Sequence, residues 1–164
     1  MAQEDKALLA RLHQHNVEFV LIGGVCSVMH GSGLLTVDLD VCCRFNTTNL
    51  RRLESALHDL HPYHRLTPNK LPLVITEELC SRLKNLYLQT DLGKIDCLGE
   101  VMGVGDYEAA LKRSIEFKMS FGPIRMFDLE TLITSKEATG REKDKYALPV
   151  LRALAEKNKQ SRKQ

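Results

Sequence analysis

Two aspartates with one residue between them, Asp38-Leu39-Asp40, open a β-forming run that continues through Val41, Cys42 and Cys43. Before them, the apolar run Phe19-Val20-Leu21-Ile22 closes on the pair Gly23-Gly24. On a strand, residues i and i+2 point the same way with Cα atoms roughly 6–7 Å apart, so both carboxylates share one face. Side by side they repel. A divalent metal resolves that repulsion, and hard oxygen ligands at this spacing suit Mg²⁺. The glycines follow a strand and precede an expected helix, where backbone N–H groups can approach a phosphate closely. Each half has a plainer reading: a tight turn for the glycines, a solvated strand end or helix cap for the aspartates. Their order and spacing join them into a metal site beside a phosphate cradle, which points to nucleotide chemistry.

The surrounding pattern predicts one α+β domain over residues 1–156, followed by a basic tail at 157–164. A first helix is expected from Glu4 to His15, with Leu8, Leu9 and Leu12 as its apolar stripe. A buried strand should span Glu18–Ile22, and a short helix Val25–His30, ended by Gly31 and Gly33. The second strand should hold Leu39 to Phe45; Asn46 to Thr48 then starts a helix carrying Leu50, Leu53, Leu57 and Leu60 at helical spacing. Residues 61–75, with Pro62, Pro68 and Pro72, read as irregular, and a helix is expected over Glu77–Lys84. Leu86–Thr90 and Lys94–Leu98 flank a turn at Asp91-Leu92-Gly93, which makes a hairpin. Asp106 and Asp128 are placed to cap helices running to Lys112 and Thr139. A last helix should run from Glu142 towards Lys157, disturbed or divided at Pro149.

Composition excludes several classes. With 43% hydrophobic and 27% charged residues in 164, the chain is neither disordered nor membrane-like, and no apolar run approaches the roughly 18–20 residues a bilayer requires. The polar, acid-bearing start argues against a signal peptide, and the expected location is cytoplasmic. Cys26, Cys42, Cys43, Cys80 and Cys97 are an odd set without a Cys-x-x-Cys pair, read as reduced thiols that pack as small hydrophobes. His58, His61 and His64 have no cysteine pair nearby and are interrupted by Pro62, so a zinc site is not expected. Net charge is +2, yet Lys157, Lys159, Arg162 and Lys163 place four positive charges in the last eight residues. Such a tail could touch RNA or simply be a solvated helix end whose lysines suit the helix dipole.

Phosphoryl transfer commonly uses two metals roughly 3.5–4 Å apart, and two aspartates rarely hold both. Asp96 is the expected third carboxylate: it lies mid-strand between Ile95 and Cys97, where an unpaired acid is costly. The competing reading for Asp96 is an ion pair with a lysine. Asp91 is a weaker candidate, since its place beside Gly93 fits a turn.

Gly23-Gly24, then Asp38-Leu39-Asp40, then Asp96 on an adjacent strand resemble the signature of the nucleotidyltransferase superfamily typified by DNA polymerase β. The wording is similar to a narrower group, the abortive-infection nucleotidyltransferases of bacterial toxin–antitoxin pairs and their small relatives. The stretches that carry this are GGVCSVMHG at 23–31, TVDLD at 36–40, DLGKID at 91–96 and SKEATGREKD at 135–144, spread over about residues 19–150. The resemblance implies a mixed, twisted β-sheet flanked by helices, and two Mg²⁺ (or Mn²⁺) ions held by Asp38, Asp40 and Asp96. It implies a phosphate contact for Lys136 and a place in the site for Asp144, with Arg141 and Lys143 as further phosphate ligands; the competing reading is a polar helix surface with ordinary exposed pairs. Gly23, Gly24, Ser27 and Thr36 would complete the nucleotide site. One departure is Leu34, where many relatives carry an arginine; another is the lack of a helical domain to present the acceptor.

The activity so implied is transfer of an NMP from an NTP to an acceptor hydroxyl, on a tRNA 3′ end, a protein side chain or a small molecule. An antitoxin or second subunit is a further expected partner. The alternatives are a non-catalytic nucleotide- or protein-binding relative and a metal-dependent phosphohydrolase. The latter lacks the usual His-Asp pair, since Asp59 and His61 flank a loop beside Pro62.

Overall fold

Runs that alternate buried and open residues pair into one sheet, and that sheet brings the three aspartates together. The computed structural model of the chain describes residues 1–161. Its elements are α1 (Gln3–Gln14), β1 (Phe19–Leu21), α2 (Gly23–Met29), β2 (Asp38–Cys43), α3 (Thr47–Leu57), β3 (Tyr63–His64), α4 (Glu77–Arg82), β4 (Asn85–Thr90) and β5 (Gly93–Leu98). After them come β6 (Glu100–Val101), β7 (Gly105–Asp106), α5 (Tyr107–Lys112), β8 (Ser114–Met119), β9 (Gly122–Phe127), α6 (Leu129–Thr139) and α7 (Glu142–Ser161). Seven strands form a twisted mixed sheet in the order β3-β4-β5-β2-β1-β9-β8, while β6 and β7 make a separate two-stranded ribbon. β2 is the central strand, antiparallel to β1 and parallel to β5. The fold class is α+β, a mixed sheet flanked by helices, as the residues and the resemblance imply.

Burial explains why these segments take these places. All of β1 is buried, and β2 contributes Leu39, Val41, Cys42 and Cys43 to the core, joined by Ile95 and Cys97 of β5 and Leu86 and Leu88 of β4. The leucine stripe of α1 (Leu8, Leu9, Leu12) and that of α3 (Leu50, Leu53, Leu57) belong to the same core, where the two helices pack on each other. Helix starts are capped as expected, with Asp106 accepting from Ala109 N–H and Asp128 from Thr131 N–H. All five cysteines are free, four of them buried.

Several boundaries differ from expectation. α2 begins at Gly23, not Val25: Gly23 has φ +66°, so the chain turns out of β1 directly into the helix, with both glycines in its first turn. β2 begins at Asp38 and stops at Cys43, short of Phe45. The β8–β9 hairpin has no counterpart in the sequence reading, because β8 is an edge strand with no fully buried residue and so no clean alternation. The segment read as irregular contains β3, whose two residues pair with β4. Pro149 neither divides nor ends α7, which continues to Ser161. The missing N–H removes one helical hydrogen bond, yet Ala147, Leu151 and Ala155 are buried on either side of it, and α7 packs along α6. The helix therefore covers the first part of the basic tail; Arg162 and Lys163 lie outside the described residues.

A polar clasp holds the central strands. Asn49 of α3 is fully buried; its Oδ1 accepts from Glu18 N–H at 2.7 Å, and its Nδ2 donates to the carbonyls of Glu18 at 3.0 Å and Arg44 at 2.9 Å. These groups flank the start of β1 and the end of β2, so removing the amide leaves the part-buried Glu18 N–H and Arg44 carbonyl without this partner, while the Glu18 carbonyl keeps Arg44 N–H. Asn49→Ala is expected to cost about 2–4 kcal/mol in urea denaturation, with no change in slope against urea.

Candidate active site

The β2–β5 register sets the geometry. Asp38 pairs with Lys94 and Asp40 with Asp96, so three carboxylates and one lysine occupy neighbouring positions on one region of the sheet. Asp38 Oδ1 is buried without a hydrogen-bond partner, and the Lys94 ammonium stands off at 3.6 Å. Asp40 rests against the start of α2, where Gly24 N–H donates to its Oδ2 at 3.4 Å. Burial raises the pKa of Asp40 to about 6, and the negative charge of Asp96 adds to this.

The glycines are required by this packing. A Cβ on Gly23 would lie 2.6 Å from Asp40 Cβ and collide with its carboxylate; a Cβ on Gly24 would lie 2.7 Å from Thr36 Cβ and collide with its hydroxyl. Gly23 is also in the left-handed region that other residues resist. Thr36 Oγ1 donates to the Asp38 carbonyl at 3.3 Å, which ties the approach segment to the strand. Ser27, buried in α2, donates to the Gly23 carbonyl at 3.1 Å.

Opposite the carboxylates, α6 and α7 supply cations. Lys136 Nζ donates to Asp144 Oδ1 at 3.0 Å and Arg141 Nε donates to Asp144 Oδ2 at 3.0 Å. Asp144 has no exposed surface. Burial alone would raise its pKa, but the two cations outweigh it and hold the carboxyl below its usual range. A cavity of about 370 Å³ separates the two sides, lined by Gly23, Gly24, Ser27, Thr36, Asp38 and Asp40 against Lys136, Arg141 and Lys143. Leu34, Leu35, Val37 and Tyr146 also line it. A second space of about 280 Å³ shares Gly23, Asp40, Lys136 and Arg141 with the first and extends to Asp96, Asn85, Tyr87, Glu100 and Met102. Asp40 and Lys136 thus stand between two cavities.

Nearly every residue singled out from the sequence falls on this one region, with two adjustments. Asp144 lines neither cavity; it lies beneath, holding Lys136 and Arg141 in place. Asp96 is held by Arg65, whose Nη2 donates to both its oxygens at 2.5 and 2.6 Å, where a lysine was the expected competitor. Arg65 and its neighbour Tyr87 were missed. The available signal was Asp96 itself, a mid-strand acid that demands a cation, and Tyr87, which the hairpin register sets directly beside it. Asp91 faces away to a surface pair with His61, Nδ1 to Oδ2 2.7 Å.

Among the described residues no three carboxylate, imidazole or thiol groups converge into a ready cage. Asp38 and Asp40, one with an orphaned buried oxygen and the other destabilised as an anion, do fit the two-carboxylate binding by which Mg²⁺ takes its remaining ligands from water and phosphate.

The arrangement of strands and helices is shared with solved structures of known activity. It aligns over 94% of this chain and 98% of the lincosamide antibiotic adenylyltransferase LnuA in its lincomycin-bound form, with TM-score 0.63 and 12% identity. It also aligns over 90% of this chain and 80% of the antibiotic-resistance factor ANT(2'')-Ia, with TM-score 0.56 and 12% identity. The fold of the chain is the one these two proteins share. No family model and no curated protein matches the sequence. Among the described residues no helix is long and apolar enough to cross a membrane.

The elevated Asp40 pKa makes a stability prediction. A carboxyl whose pKa is higher in the folded than in the unfolded chain stabilises the fold below the unfolded value, near 4, and that contribution is lost as pH rises through about 6. In EDTA the protein should therefore melt higher at pH 5 than at pH 7. Asp40→Asn should flatten that slope and stabilise the metal-free protein at pH 7 by about 2 kcal/mol. Thermal melts of both proteins across this range measure it, and added Mg²⁺ should narrow the difference.

Proposed function

We propose that the chain is a Mg²⁺-dependent nucleotidyltransferase that moves an NMP group from an NTP to an acceptor hydroxyl. The observation that carries this reading is the placement of Asp38 and Asp40 against Gly23-Gly24 on one wall of a cavity whose other wall bears Lys136, Arg141 and Lys143. Carboxylates and cations opposed across one cavity suit a metal-bound triphosphate. Asp38 and Asp40 would hold the ion, which when bound would polarise the α-phosphoryl group and neutralise the triphosphate.

The remaining work falls to the chain's own groups. The glycine backbone and Ser27 leave room for the β- and γ-phosphates to approach α2. Thr36 fixes the segment that leads into the carboxylates. Lys136 neutralises negative charge as pyrophosphate departs, and Asp144 keeps its ammonium aimed at the cavity. Arg141 and Lys143 add charge at the more open side. Asp96, on the far side of Asp40, accepts a hydrogen bond from the acceptor hydroxyl and orients it for attack on the α-phosphorus. The second cavity is then the acceptor's place. The likeness to a protein named as a lincosamide antibiotic adenylyltransferase favours a small molecule over a tRNA end or a protein side chain.

Titration with each of the four NTPs, with and without Mg²⁺, tests this beside an Asp38→Asn/Asp40→Asn double variant. Mg²⁺-dependent binding that weakens more than about tenfold in the variant is expected, and wild-type protein that binds no NTP would sink the reading. Lys136→Ala should lower turnover of α-labelled nucleotide by about 10²-fold or more while the NTP still binds. Nucleotide bound by wild type but never transferred to any acceptor would favour the non-catalytic alternative.

A further inference from the structure

Asp96 is expected to help hold a second metal ion, yet it already has a cation. Both of its oxygens accept from Arg65 Nη2, at 2.5 and 2.6 Å, and the two side chains are only 12% and 22% exposed. Arg65 is fixed by more than this contact. Its backbone N–H donates to the Tyr87 carbonyl at 2.9 Å, just beyond the two paired residues of β3, and its guanidinium lies over the Tyr87 ring, 5.4 Å from the centroid. Tyr87 in turn is the register partner of Asp96 across β4 and β5. Arginine, stacked residue and carboxylate therefore form one unit built into the sheet.

Eviction of the guanidinium would be costly. Arg65 Nε is already buried without a partner, so a guanidinium taken off Asp96 would stay part-buried with still more unmet donors. A divalent ion reaching for Asp96 would also approach a fixed positive charge at close range. The Asp38–Asp40 pair has no such obstacle: its nearest cation, Lys94, stands at 3.6 Å and is half exposed. These facts, with the absence of a three-ligand cluster among the described residues, distinguish the two halves of the site.

We infer that Arg65 stands where a second divalent ion would otherwise bind, so that the site takes one ion, on Asp38 and Asp40, with a guanidinium as the permanent cation at Asp96. Arg65 is then a positioning residue: it acts by fixing both oxygens of Asp96 and keeping the carboxylate aimed at the acceptor cavity. The inference rests on the nucleotidyltransferase reading and deepens it.

The experiment counts Mn²⁺ retained per chain by equilibrium dialysis against an equimolar mixture of the α,β-methylene analogues of ATP, GTP, CTP and UTP, corrected for the nucleotide chamber. Wild type should retain about one ion and Arg65→Gln about two, with Arg65→Gln/Asp96→Asn returning to one. Asp96→Asn alone should leave the count and the Mn²⁺ affinity within about twofold. Two ions in wild type, or a loss of affinity of about tenfold or more in Asp96→Asn, would overturn the inference and leave the nucleotidyltransferase reading standing. A count of one in Arg65→Gln would overturn it as well. No Mn²⁺ or nucleotide retained by wild type would overturn both. Should Arg65→Gln fail to fold, the comparison of wild type with Asp96→Asn decides alone.

Discussion

Like charge concentrated at the centre of the sheet is the constraint around which this structure is organised. The parallel pairing of β2 with β5 puts Asp40 beside Asp96, and the pleat puts Asp38 on the same face as Asp40. Three carboxylates in so small and partly buried a volume are unfavourable by themselves. Each is managed differently. Asp96 has Arg65 in direct contact, Asp38 has a loosely held Lys94, and Asp40 has only a long bond from Gly24 N–H. The residue with the least compensation is the one whose pKa rises to about 6. The proposed binding of a metal-bound triphosphate would draw on this unevenness, because carboxylates fully matched by internal cations would have nothing left to offer an incoming ion.

The cations across the cavity follow the opposite logic. Lys136 on α6 and Arg141 in the turn before α7 would repel each other if they stood alone. Asp144, buried between them, gives both a fixed partner, while the side chain of Lys136 is only 12% exposed. One anion thus organises two cations, just as the sheet gathers three anions. Removal of either partner would leave a buried charge uncompensated, the costly direction for such pairs.

How much of this was legible in the sequence follows from the range of the interactions concerned. Asp38 and Asp40 were readable because a strand has period two and the preceding Gly-Gly marks a turn, both local facts. Asp96 was readable because an acid between Ile95 and Cys97 contradicts its surroundings. Asp144 came into view through resemblance alone, and its role proved to be support rather than contact. Arg65 was hidden because it sits in a proline-flanked stretch, just after a two-residue strand that exists only through pairing with β4. β8 was hidden for a related reason: an edge strand need not alternate, since only one of its sides is satisfied by the sheet. Pro149 misled because propensity was weighed without the packing of α7 on α6, which keeps the helix whole.

The glycine pair was legible as a motif, yet its physical demand is stricter than a turn. A phosphate cradle would tolerate one glycine if the other side were open. Here neither position is open, since Gly23 has Asp40 against it and Gly24 has Thr36. The helix start is thereby pressed onto the strand end, which buries Asp40 and lifts its pKa. On the same face of β2, Asp38 Oδ1 is likewise enclosed without a donor. In the proposed reaction the two glycines would therefore act on the metal-binding carboxylates as much as on the phosphates. Any side chain placed there would loosen Asp40 and relieve the very destabilisation that a bound cation would exploit. A stabilised metal-free protein and a working site are competing ends at Asp40, where the glycines only hold the compromise in place.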